Sequence, residues 1–257
     1  MIIDYLHYDK CALGRCGLVC RFWLPSSRFH LFSTIYLKHR KIDTAINVLC
    51  SPNSTIPPYV RRVTIYGGKE DGRGMNKWLR RLPPLSSVDS LSLFSIHWDA
   101  QMFGAMEKLF PFFRNLKTLQ LDGVIFKTLH SALGFLSSAS SLENLRLGDF
   151  GSFLSEFGNI DAVSVTQFPV PPLKQIAFEM NFRWPWLLDW LSLGQTFASV
   201  NSVTYYVEFI PVIRPMSVFF KALGQDLEHL TLNFMCCREE YRKSMPVDLI
   251  SPCRRNV

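Results

Sequence analysis

The sequence predicts an α/β chain in which short parallel strands stack side by side in chain order, with helical connections packed behind them. Three observations carry that expectation. First, an apolar pattern at first, fourth and sixth places recurs as Val60-x-x-Val63-x-Ile65, Val88-x-x-Leu91-x-Leu93, Leu116-x-x-Leu119-x-Leu121, Leu142-x-x-Leu145-x-Leu147, Leu173-x-x-Ile176-x-Phe178, Val200-x-x-Val203-x-Tyr205 and Leu227-x-x-Leu230-x-Leu232. Second, the steps from one first place to the next are 28, 28, 26, 31, 27 and 27 residues, a rhythm that chance does not keep. Third, the stretches between, at 99–113, 127–138, 184–193 and 212–223, have helical character.

Each unit reads as a short strand with period-two alternation followed by a helical connection. One unit cannot bury its own apolar side, so neighbours must stack. The rhythm is that of a leucine-rich-repeat solenoid, with a parallel sheet on the concave face and helices behind. Several units also share an apolar residue three places after the sixth, Ile96, Val124 and Phe150, where the chain would leave its strand. A doubly wound α/β domain is the competing architecture. It needs no constant spacing, and one that bound a dinucleotide would carry a glycine fingerprint at its first βα turn.

Alternation assigns the faces. In the third unit Leu119 and Leu121 point into the core, and Thr118, Gln120 and Asp122 point out from the sheet. Extending this along the repeats gives a candidate target-binding surface that includes Arg62, Tyr66, Phe94, Gln120, Asp122, Arg146, Glu179, Tyr206 and His229. Aromatic and arginine side chains carry most of the affinity at protein interfaces, which puts Arg62, Tyr66, Phe94, Arg146 and Tyr206 first.

Composition narrows the function. Of 257 residues 48% are hydrophobic and 19% charged, which excludes a disordered chain. The net charge of +7 comes from scattered pairs such as Arg61-Arg62, Arg80-Arg81 and Arg254-Arg255, with no run of four basic residues, so no nucleic-acid partner is expected. Seven cysteines, at 11, 16, 20, 50, 236, 237 and 253, fit neither a zinc module nor a disulfide framework and read as reduced thiols. There is no signal-peptide pattern and no run of 18 uninterrupted apolar residues. The expectation is a protein of the cytoplasm and/or nucleus with no membrane partner.

Residues 1–37 follow a different pattern. On a helix starting near Lys10, residues Leu13, Cys16, Cys20 and Trp23 form one apolar stripe, and Pro25 would end that helix and open the next. The run from Ile2 to Phe32 resembles an F-box, in the form common among fungal F-box proteins with leucine-rich repeats. The matching residues are Ile2, Ile3, Tyr5 and Leu6 in the first helix, then Leu13, Val19, Cys20 and Trp23 in the second. The family's opening Leu-Pro-x-Glu-Leu stretch has no counterpart after Met1, so the segment is expected to be an N-terminally shortened F-box. The resemblance implies that these eight residues dock on a Skp-type adaptor and, through it, on a cullin.

No catalytic, metal or cofactor site is expected. The stretch Gly67 to Gly74 follows a strand, but it lacks a Gly-Lys-Ser/Thr ending and carries acidic Glu70 and Asp71, so it reads as a loop between repeats. Cys236, Cys237 and Cys253 have no neighbouring histidine, and the six histidines show no His-Glu-x-x-His spacing. No Gly-x-Ser-x-Gly elbow occurs. Trp186, Trp190 and Leu193 follow helical steps and read as a connecting helix behind the sheet rather than a membrane anchor. The expected organisation is a shortened F-box-like segment at 1–37, a connecting helix or loop and cap at 38–59, irregular repeats at 60–235, and a polar tail or cap at 236–257. The expected function is a monomeric, non-enzymatic substrate-recognition adaptor of an SCF-type ubiquitin ligase, holding an unknown target protein on the concave face. A repeat scaffold that binds a partner without ligase coupling is the alternative.

Overall fold

A computed structural model describes residues 2–38, 41–67, 80–98, 115–126, 128–148, 167–179, 185–193, 199–207, 219–223 and 226–234. Its strands are β1 (Thr34–Lys38), β2 (Arg62–Tyr66), β3 (Ser90–Phe94), β4 (His97–Trp98), β5 (Thr118–Asp122), β6 (Ile125–Phe126), β7 (Asn144–Leu147), β8 (Gln175–Phe178), β9 (Ser202–Val207) and β10 (His229–Phe234). Eight of them form one parallel sheet in the order β1-β2-β3-β5-β7-β8-β9-β10, and β4 pairs with β6 in a second, two-stranded sheet. The fold is therefore α/β, with the strands of the main sheet lying in chain order.

The register follows the apolar pattern. Sixth places align across the whole sheet as Leu37, Ile65, Leu93, Leu121, Leu147, Phe178, Tyr205 and Leu232. A backbone contact repeats with them. The carbonyl before each strand accepts two N–H bonds from the start of the next unit: Ser33 from Arg61 and Arg62, Arg61 from Asp89 and Ser90, Asp89 from Lys117 and Thr118, and so on to Asn201 from Glu228 and His229. Equal spacing in sequence thus becomes equal register in space, because a slip of one residue would turn every buried side chain outward.

The sheet begins one strand earlier than the repeat read from Val60. Phe32-x-x-Ile35-x-Leu37 carries the same apolar places 28 residues before Val60, Leu37 is buried, and β1 pairs in parallel with β2. The strand straddles the boundary drawn between residues 37 and 38. Behind the sheet lie α3 (Ile42–Cys50), α4 (Leu129–Ser138) and α5 (Pro185–Leu193). Ile46 of α3, Phe135 of α4 and Trp190 of α5 join the strands' inward residues in one continuous core running from Leu37 to Leu223. The expected helix at 127–138 is α4, which starts at a capping box between Thr128 and Ser131. The one at 184–193 is α5. Trp190 is buried and its Nε1 donates to the Phe168 carbonyl at 3.0 Å, which is how a core tryptophan behaves. Residues 219–223 are helical with Phe219 buried, while the rest of 212–223, the expected helix at 99–113, and Phe150, Cys236, Cys237 and Cys253 lie outside the described residues.

The N-terminal segment has a short 3-10 helix (Ile2–Leu6), then α1 (Lys10–Val19) and α2 (Leu24–Phe32). The Asp9 side chain caps α1 by accepting from the Ala12 N–H, and Pro25 lies in the first turn of α2. The stripe expected from Leu13 to Trp23 does not form on one helix. Cys20 is extended (φ −156, ψ 162) and ends α1, and Trp23 is the residue that precedes α2, so Leu13 alone of the four is buried.

Candidate functional site

Period-two alternation leaves the third, fifth and seventh places of each unit on the open face of the sheet. Along the third and fifth places, from Thr34 and Tyr36 of β1 to Ser202 and Thr204 of β9, runs a trough of about 760 Å³. Its floor is made of hydroxyls and amides. The Ser92 hydroxyl donates to Gln120 Oε1 at 3.4 Å, and the Asn144 amide donates to Thr118 Oγ1 at 3.4 Å, so neighbouring strands are joined by long, weak side-chain bonds. Such a floor stays polar and wettable while the opposite face is sealed by leucine.

Of the residues expected to contact a target, Arg62, Gln120 and Arg146 line this trough together. The others lie elsewhere on the open face. Tyr66, Phe94 and Asp122 occupy seventh places in register on β2, β3 and β5. The Tyr66 and Phe94 rings stack at 5.1 Å with an interplanar angle of 15°, and Lys38 Nζ stands 5.7 Å from the Tyr66 centroid. These contacts hold the two rings half-buried against each other, a ready aromatic ledge beside the trough. Glu179 and Tyr206 continue that row half-buried, and His229 is exposed at the start of β10. The alternation did not place Thr34 and Tyr36 because β1 was not expected as a strand. The signal that would have found them is the Phe32, Ile35, Leu37 spacing.

At the strand starts a row of alternating charge crosses the sheet: Arg61, Asp89, Lys117, Glu143 and Lys174. Glu143 sits between two lysines, at 3.0 Å from Lys174 Nζ and 3.7 Å from Lys117 Nζ. The hydrogen bond from Lys174, opposed by some desolvation and reinforced by both positive charges, holds the Glu143 carboxyl below the usual range. Arg61 takes another course and donates to the carbonyls of Pro58 and Ser87 at 3.0 and 3.4 Å.

The residues expected to meet an adaptor divide by burial. Ile3 and Leu13 are core, Leu6 and Trp23 are half-buried, and the side chain of Ile2 is outside the described set. Cys20 is exposed, and Tyr5 and Val19 are 87% and 64% exposed. Two neighbours that the resemblance did not single out, Leu18 at 88% and Phe22 at 89%, are also bare. A groove of about 510 Å³ lies between this segment and α3, lined by Leu18, Leu24, Leu31, Phe32, Val48 and Ile56 among others. Ser27 Oγ and Ser54 Oγ, both in residues that line it, have no hydrogen-bond partner among the described residues.

Among the described residues no group of three or more His, Cys, Asp or Glu could hold a metal ion. No helix there is long and apolar enough to cross a membrane. Compared with protein-family models and with curated proteins, the chain matches none.

Proposed function

We propose that this chain is a non-catalytic adaptor, a leucine-rich-repeat solenoid that holds a target protein on its open sheet face and carries an F-box-like segment for a Skp-type adaptor of an SCF-type ubiquitin ligase. The observation that carries the reading is the division of labour across the molecule. A polar trough with aromatic and arginine side chains runs across the sheet, and separate from its lining Tyr5, Leu18, Val19 and Phe22 stand bare in the segment that precedes the first strand. Large apolar side chains left in water in one segment mark an interaction surface. The sequential parallel sheet with in-register apolar places supports the solenoid, because repeat units bury their apolar sides only against their neighbours. Ubiquitin transfer is then the work of partners, and this chain supplies two docking faces.

The test is a pulldown with a Skp-type adaptor, comparing this chain with a form extended upstream of Met1 and with Val19→Asp and Phe22→Asp in each. Capture that either acidic substitution reduces at least tenfold supports the reading. Failure of both parental forms to bind rejects ligase coupling and leaves the scaffold without it.

A further inference from the structure

The charges around the trough are not equally committed. Lys117 shares Glu143 with Lys174, Lys38 stands over the Tyr66 ring, and Arg61 is spent on backbone carbonyls. Arg62 and Arg146 are exposed, and their guanidinium groups make no hydrogen bond, ion pair or ring contact among the described residues. Both line the trough, whose lining carries one carboxylate, Asp89, against the cations Arg62, Lys117 and Arg146. A guanidinium left without a partner on a wettable floor is a planar two-donor fork aimed at whatever fills the space, and its best complement is a carboxylate.

Register fixes how far apart those two forks stand. Arg62 aligns through Ser90 and Thr118 with Asn144, three strands away, and Arg146 lies two residues further along β7. With strands ~4.8 Å apart and a rise of ~3.3 Å per residue, the two backbone positions are about 16 Å apart on a diagonal. Carboxylates at i and i+4 of an extended chain lie on the same side about 13 Å apart, a gap that two long arginine stems close. An extended chain also keeps its own N–H and C=O groups free for Ser92, Thr118 and Gln120 on the two strands between the arginines, whereas a helix has spent them internally.

We propose that the trough binds an extended acidic peptide segment, crossing the strands diagonally, with two carboxylates four residues apart pairing with Arg62 and Arg146. This rests on the reading of the open face as the target-holding surface, and it names the chemistry of that target.

The experiment is fluorescence anisotropy on the full chain with labelled Ser/Thr/Gly-rich peptides: one carrying two Glu at i and i+4, one with the same Glu at i and i+1, and one with both changed to Gln. The i,i+4 peptide is expected to bind best, and the Gln peptide and each of Arg62→Gln and Arg146→Gln to weaken it about fivefold to tenfold. Both arginines are exposed, so unchanged circular dichroism and melting are expected of the variants. Binding that ignores the spacing, or that survives both arginine changes, overturns the proposal, as does preference for an oligonucleotide over the i,i+4 peptide. A parallel selection from a random peptide library separates the two levels. Enrichment of neutral peptides that lose binding on Gln120→Ala overturns the acidic target and leaves the target-holding face standing, whereas no peptide depending on the trough defeats both.

Discussion

Leu119 and Glu143 stand at adjacent strands in neighbouring units and contribute in opposite ways, one by burial and the other by charge. Leu119 is fully buried at a fourth place, flanked in register by Leu91 and Leu145. Truncation to Ala leaves a cavity that packed neighbours cannot close, so Leu119→Ala is expected to cost about 2–5 kcal/mol in urea unfolding. Glu143 sits at the surface, and its carboxyl is held below the usual range by Lys174 first and Lys117 second. A carboxylate with a depressed folded-state pKa contributes stability that is present above the unfolded-state value of about 4.3 and is lost as pH falls through the lower folded value. The urea midpoint of the parent should therefore exceed that of Glu143→Gln by a constant amount near neutrality, with the gap closing in acid. A gap that persists at strongly acid pH would show that packing, not charge, is its source. Faces of this kind were legible in the sequence because period-two alternation needs only the order of residues. That the Arg62 guanidinium has no partner among the described residues was not legible, because it depends on which carbonyls and carboxylates the neighbouring strands bring within reach.

Where the first three units leave their strands, geometry at the eighth place, Gly67, Ser95 and Gly123, decides how the chain turns. Ser95 and Gly123 have positive φ, 52° and 62°, and a Cβ on Gly67 would lie 2.1 Å from the Ser95 carbonyl oxygen. Left-handed backbone is open to glycine and strained for other residues. Gly123→Ala is accordingly expected to destabilise by about 1 kcal/mol, and Gly67→Ala by about 1–3 kcal/mol because backbone must move to admit the methyl. Ser95→Gly should run the other way, stabilising by up to about 1 kcal/mol once relief of strain is set against the added freedom of the unfolded chain. Thermal unfolding of the three variants checks all three signs together. The strands of the repeat were legible as elements because each apolar triplet is short and recurs. Two elements differ from expectation for identifiable reasons: β1 straddles the boundary drawn after residue 37, at the end of a segment in which only short helical stretches were expected, and α1 stops at an extended Cys20 short of Trp23. An apolar stripe does not reveal where backbone hydrogen bonding ends, and that is what sets the length of α1.

Among the described residues each strand of the main sheet pairs only with the main-sheet strands before and after it in the chain, so the edge strands differ from those in the middle. The two inward leucines of β10 show it. Leu230 and Leu232 hold the same fourth and sixth places as Leu119 and Leu121, yet they are 47% and 42% exposed against none. Identical letters in identical places therefore have unequal worth, a difference the sequence alone conceals because burial depends on what packs against each strand: Leu37 of the edge strand β1 is buried, whereas Leu232 of β10 is not. In such an array stability is close to a sum of unit terms and nearest-neighbour terms, and a terminal unit lacks one of the latter. Opening should start at β10 and be rarest at β3, β5 and β7, where both flanks are paired and Leu91, Leu119 and Leu145 are sealed. Native-state hydrogen exchange is the measurement. The amides of β5 and β7 should exchange only on global unfolding, and those of β10 through a local opening well below it. Leu230→Ala should then cost less than about 1 kcal/mol, far below Leu119→Ala. Equal protection from β2 to β10 would mean that the sheet opens as one unit, and the trough along the third and fifth places would be no more rigid at its centre, between Arg62 and Arg146, than at its ends.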